Sequence, residues 1–93
     1  MTMYNPPHPG VFINETYLKP LGFSGRYLAK KLAVAPSTLN RILRSQGGIS
    51  PEMALRLSKS LGRTPESWLA MQNNYDLWQA KMKIKLNAVE GIS

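Results

Sequence analysis

Six cations stand between Glu15 and Glu52 with no acidic residue among them: Lys19, Arg26, Lys30, Lys31, Arg41 and Arg44. Cations that neighbouring acids do not neutralise are suited to holding phosphate, and the net charge of +7 over 93 residues favours a polyanionic partner. Interleaved with them are Ser37, Thr38, Asn40 and Ser45, short polar side chains able to touch base edges, while an arginine such as Arg41 can grip guanine O6 and N7 together. Bond-making chemistry has no comparable constellation. The chain has no cysteine, its one histidine is His8, and no acids are spaced to form a metal cage. A glycine-rich phosphate loop, a nucleophile elbow and an HExxH motif are all missing, and Asp76 without a partner reads as a surface acid or hydrogen-bond anchor. We therefore expect no enzyme activity, no metal and no cofactor.

For the basic and polar side chains to act together they must share a rigid frame. Caps, prolines and glycines divide the chain into about five helices, with no alternating strand pattern and no fixed repeat. An all-α fold in a single domain over residues 1–93 follows, since this length supports one modest core. Pro9 suits the first position of an opening helix whose buried stripe would be Val11, Phe12 and Leu18, ended by Pro20 and Gly22. Ser24 caps a second helix that turns Leu28 and Leu32 inward and keeps Arg26, Lys30 and Lys31 wet.

A third helix starts at Pro36 behind Ala35, a poor cap that should weaken its start by about 1 kcal/mol relative to serine. Leu39, Ile42 and Leu43 form its inner side, and Gly47 and Gly48 are expected to end it. Ser50, Pro51 and Glu52 open the fourth helix, which buries Met53, Ala54, Leu57 and Leu61 and stops at Gly62; Thr64, Pro65 and Glu66 open a fifth, reaching about residue 86. Glu52 and Glu66 are charges that favour helix starts. Lys81, Lys83 and Lys85 read as solubilising. With no long apolar run and no signal-type start, the cytoplasm is the expected compartment.

The stretch LAKKLAVAPSTLNRI from Leu28 to Ile42 has the small and apolar positions that two helices need to cross over a short turn: Leu28, Leu32, Val34, Leu39 and Ile42 are apolar, and Ala29 permits close approach. Ala33 fills the turn site where glycine is commonest. This is the pattern of a DNA-reading helix-turn-helix, placed at about 24–45. It resembles that of the phage-repressor-like (Xre) superfamily. Together with HPG at His8 to Gly10, ISPEMALRLSKSLG from Ile49 to Gly62 and PESWLAMQNNYDLWQA from Pro65 to Ala80, the chain resembles the HigA (VapI-like) antitoxins along almost its whole length.

The resemblance implies a five-helix, lambda-repressor-like fold in an antitoxin that dimerises, represses its own operon and neutralises a HigB-like, messenger RNA-cleaving toxin. It assigns base contact on double-stranded, palindromic operator DNA to Ser37 and Arg41, with Thr38 and Asn40 beside them. Arg26, Lys30, Lys31 and Arg44 are left to hold phosphates. Val11 departs from the charged residue that often follows the Pro-Gly, and Ala35 from the usual capping serine or threonine. The stretch Tyr4 to Phe12 is a candidate toxin contact. Along the fifth helix Trp68, Met71, Tyr75, Trp78 and Met82 fall on one face and Leu69, Leu77, Ala80 and Ile84 on roughly the opposite one, so one face should close the core and the other meet a second copy. Leu69, Leu77, Trp78 and Ile84 are the interface candidates. A free-standing phage-type or host repressor with no toxin would share every helix-turn-helix residue.

Overall fold

The computed structural model describes residues 5–92; Tyr4, one end of the candidate toxin contact, lies outside them. Among the described residues there are five helices and no strand. The first, α1, runs without a break through an α-helical Pro9–Ile13, a π-helical Asn14–Leu18 and an α-helical Lys19–Leu21. His8 caps it, its Nδ1 accepting the Gly10 N–H at 2.9 Å. The π-turn, marked by the Lys19 N–H donating to the Asn14 carbonyl, lies just ahead of Pro20, which has no N–H to give to the Thr16 carbonyl four residues back.

That turn corrects two sequence expectations. Pro20 does not end α1 but sits inside its last turn, and Gly22, left-handed at φ 71°, closes it. Nor is Val11 part of the buried stripe: it is 43% exposed, and the core side is Ile13 and Leu18, with Phe12 half-buried. In an unbroken α-helix Val11 and Leu18, seven apart, would share a face, but a π-turn inserts one extra residue and brings Ile13 and Leu18, five apart, into line instead.

Helix α2 (Gly25–Leu32) is capped by Ser24, whose Oγ accepts the Tyr27 N–H at 3.0 Å, and it buries Leu28, Ala29 and Leu32 as expected. It ends in the paired bonds of a Schellman motif, Val34 N–H to the Ala29 carbonyl and Ala33 N–H to the Lys30 carbonyl, with Ala33 left-handed at φ 58°. Helix α3 (Pro36–Leu43) follows after Ala35, which makes no side-chain cap. Leu39 and Ile42 are buried and Leu43 is half-buried. The stop is not the glycine pair: Ser45, at φ 61°, turns the chain so that the Gln46 and Gly47 N–H groups both donate to the Arg41 carbonyl.

Ser50 and Thr64 cap α4 (Pro51–Leu61) and α5 (Pro65–Lys83) through the Met53 and Ser67 N–H groups. Met53, Ala54 and Leu57 drive α4 into the core, where Trp68 of α5 is fully buried with its indole N–H on the Gly62 carbonyl at 3.0 Å. Helix α5 ends before the expected residue 86. Ile84 is already extended, and residues 84–92 are exposed throughout. Among the described residues no helix is long and apolar enough to cross a membrane.

Candidate nucleic-acid interface

With Leu39, Ile42 and Leu43 turned inward, the roughly 100° step of an α-helix puts Ser37, Arg41 and Arg44 opposite the core, with Thr38 and Asn40 on the two flanks. All five are exposed, as are Arg26, Lys30 and Lys31 on α2. Ser37, Thr38 and Arg41 line one concavity of about 370 Å³ with Ile42, Gly47, Gly48, Ser50 and Met53, and Asn40 lies outside it. The Arg41 side chain runs beside Gly47, where an added Cβ would stand 3.6 Å from the Arg41 Cβ and 4.0 Å from its Nε.

Among the described residues the ion pairs are Lys19 with Glu15 and Arg56 with Glu52, so five of the six cations of the acid-free stretch enter none. Lys31 has a different neighbour: its Nζ lies 5.3 Å from the centre of the Tyr27 ring, which in turn stacks at 4.6 Å against Phe23. Such a face can attract and hold a polyanion. What fixes its shape is a second set of contacts, made to the backbone of α3 and of the loop after it.

Gly10 is the tightest of these. A Cβ there would overlap the Ile42 carbonyl oxygen and stand 2.9 Å from the Leu43 Cα, so α1 crosses α3 at backbone distance. The HPG stretch is thereby explained as cap, first-turn proline and crossing point. Asn14 donates through Nδ2 to the Leu43 carbonyl at 3.4 Å. Beyond the helix, the buried Gln72 accepts the Ile49 N–H at 3.0 Å and donates through Nε2 to Asp76 Oδ1 at 3.0 Å, which gives that acid the anchoring role read from the sequence. His8 is buried edge-on against Tyr75, ring centres 4.8 Å apart; burial lowers its pKa from 6.5, against the opposing pull of the Gly47 carbonyl and of Asp76.

Asn14 and Gln72 were not foreseen. For Gln72 a signal existed: it is four residues from Trp68 and three from Tyr75, a polar residue on the inward stripe of α5, where a buried amide must find partners. The proposed dimer residues do not form one group. Leu69 is half-buried and Leu77 51% exposed on one side of α5, Ile84 lies past the end of the helix at 57% exposed, and Trp78 is half-buried and belongs by spacing to the stripe of Trp68 and Tyr75.

Residues 15–69 match the family model described as helix-turn-helix. Virulence-associated protein I of Dichelobacter nodosus is 46% identical over 87 residues, covering 92% of this chain and 81% of that protein. Among solved structures, antitoxin GraA superposes with a TM-score of 0.87 at 42% identity over 98% of each chain, and GraA in complex with its operator does so at 0.80 and 46% over 89% of this chain and 84% of that one. An addiction-module antidote protein of the HigA family from Coxiella burnetii gives a TM-score of 0.86 at 34% identity, covering 97% of this chain and all of that one. The chain belongs to the helix-turn-helix family, a non-enzymatic DNA-binding class, and its relatives there include HigA-type antitoxins.

Proposed function

We propose that this protein is a HigA-type antitoxin: a dimer that represses its own operon by reading a palindromic operator with α3 and that neutralises a HigB-like toxin. The observation that carries the reading is the outward face of α3. Ser37, Thr38 and Arg41 share one concavity with no acid in its lining, in a chain 46% identical to an antitoxin solved on its operator. On DNA, Arg41 and Ser37 reach base edges, Thr38 meets a thymine methyl or a phosphate, and Asn40, outside the concavity, serves at its margin. Arg26, Lys30, Lys31 and Arg44 hold phosphates and set affinity without reading sequence.

The protein acts as a single DNA-binding unit in the cytoplasm, where its operator is. Leu69, Leu77 and Ile84 of α5 and its extension meet the second copy, with Trp78 at the edge of that contact, and the two α3 helices then enter successive major grooves about 34 to 36 Å apart. The test has two arms. Fluorescence anisotropy with DNA from upstream of the protein's own gene should show salt-dependent binding well above that to random DNA. Where a short basic ribonuclease-like reading frame lies immediately upstream, co-expression of this chain should relieve the toxicity of its product. Operator binding without any toxin relief would make the chain a free-standing repressor, and no preference for operator DNA would overturn the reading.

A further inference from the structure

Helix α2 ends with three carbonyls that its own Schellman bonds do not use, those of Lys31, Leu32 and Ala33. All three face side chains of α4. Ser60 Oγ donates to the Lys31 carbonyl at 3.5 Å, and Arg56 Nη1 donates to the Leu32 carbonyl at 2.8 Å and to that of Ala33 at 3.2 Å. Two more of its N–H groups are held by Glu52, Nε and Nη2 donating to Oε2 at 3.2 and 2.9 Å. Ala33 is where the chain needs restraint most, because it holds φ 58° with a side chain that disfavours it. A cation at the C-terminus of α2 also suits the helix dipole.

From this geometry we infer that Arg56 is a specificity-determining positioning residue: by clamping the Leu32 and Ala33 carbonyls it fixes the turn between α2 and α3, and so the angle at which α3 meets DNA. The inference rests on the DNA-reading proposed above. Arg56 differs from the phosphate-holding cations in that four of its five N–H groups already have acceptors within the protein and its side chain is only 35% exposed. A lost clamp therefore leaves the phosphate-holding cations in place and loosens the frame on which Ser37 and Arg41 are aimed. Base contacts depend on aim; diffuse phosphate attraction does not.

The experiment compares wild type, Arg56→Ala and Arg56→Lys in salt-titrated anisotropy on operator and random DNA, alongside amide hydrogen exchange of the free proteins. Arg56→Ala should lower the ratio of operator to random affinity about tenfold, with random-DNA affinity and the salt slope unchanged. Its Val34 amide, which closes the end of α2 on the Ala29 carbonyl, and its Thr38 amide, which bonds the Ala35 carbonyl in the first turn of α3, should exchange faster while those of α5 do not. Arg56→Lys keeps the charge but not the planar fork, and should fall between the two with an unchanged melting temperature. It also serves as the test variant if Arg56→Ala does not fold.

An equal loss on both DNAs, a slope lower by about one, or an unchanged ratio overturns the inference. If wild type itself shows no operator preference, it is the functional proposal that has failed. The exchange rates then decide separately whether Arg56 holds the turn, and unchanged Val34 and Thr38 exchange would show that it does not.

Discussion

Helices α3 and α5 are held in place in opposite ways. Helix α3 is eight residues long, and beyond its short apolar inner side it is gripped through its main chain: Gly10 lies against the Ile42 carbonyl, Asn14 bonds the Leu43 carbonyl, and Gln72 secures the loop at Ile49. Its side chains at Ser37, Thr38, Asn40, Arg41 and Arg44 are left unoccupied. Helix α5 has 19 residues and is anchored by side chains, with Trp68 and Gln72 buried, and on its other side it presents Leu77, 51% exposed, to the outside. An element fixed by its backbone can use its side chains to discriminate, because they do not carry the packing. One fixed by side chains on one face, with apolar residues on the other, is built to be covered again.

The sharpest way to break this contrast is at the α1–α3 crossing. Gly10→Ala forces a methyl group into the backbone of α3, and since a main-chain atom cannot swing aside as a side chain can, the loss should lie near 3 kcal/mol, the upper end for overpacking. Urea unfolding measures it. A loss below about 1 kcal/mol would mean that the crossing is loose and that α3 is not held through its backbone.

The same contrast predicts that α5 gives way differently. Leu77→Ala combined with Ile84→Ala removes side chains that support nothing within the protomer, so the melting temperature of the dilute monomer should hold while the dimer dissociation constant rises about tenfold or more. Sedimentation equilibrium reads this directly. Trp78→Ala should disturb the protomer more than the dimer, since Trp78 lies on the inward stripe, and the reverse result would place the interface on that side.

The smallest effect expected concerns pH. Burial lowers the pKa of His8, so between that value and 6.5 the unfolded chain binds more protons than the folded one. Stability is then fully present above pH 6.5 and declines as pH falls through that window. His8→Asn keeps a capping acceptor for the Gly10 N–H and should flatten this limb of the thermal-stability profile. A wild-type profile that stays flat or rises on acidification would contradict it.

What was legible in the sequence follows from the range of the interactions involved. Ser24, Ser50 and Thr64 each bond an N–H three residues ahead, so the starts of α2, α4 and α5 can be read from neighbours alone. The inner faces of α2, α3 and α4 follow from periodicity for the same reason. The π-turn in α1 could not be read that way, since it changes the period on which the expectation for Val11 rested. The end of α3 is not readable from Gly47 and Gly48, because Ser45 holds the left-handed conformation that glycine more commonly supplies.

The outward face of α3 was visible because it is what remains once Leu39, Ile42 and Leu43 are turned inward. Its supports were not. Asn14 reaches 29 residues to Leu43, Gln72 23 residues to Ile49 and Arg56 24 residues to Leu32, and no local pattern encodes such pairings.

The central claim, that the outer face of α3 reads sequence while the flanking cations of α2 supply affinity, is tested most directly by one salt-titrated anisotropy series on operator and random DNA with Arg41→Ala and Lys30→Ala. Arg41→Ala should cost about 1 to 3 kcal/mol on the operator and relax preference at one base pair per half-site, with random DNA little affected. Lys30→Ala should weaken both DNAs about equally and reduce the slope of log K against log salt by about one. If Arg41→Ala instead weakens both DNAs by the same factor, Arg41 is another phosphate contact and α3 does not read sequence through it.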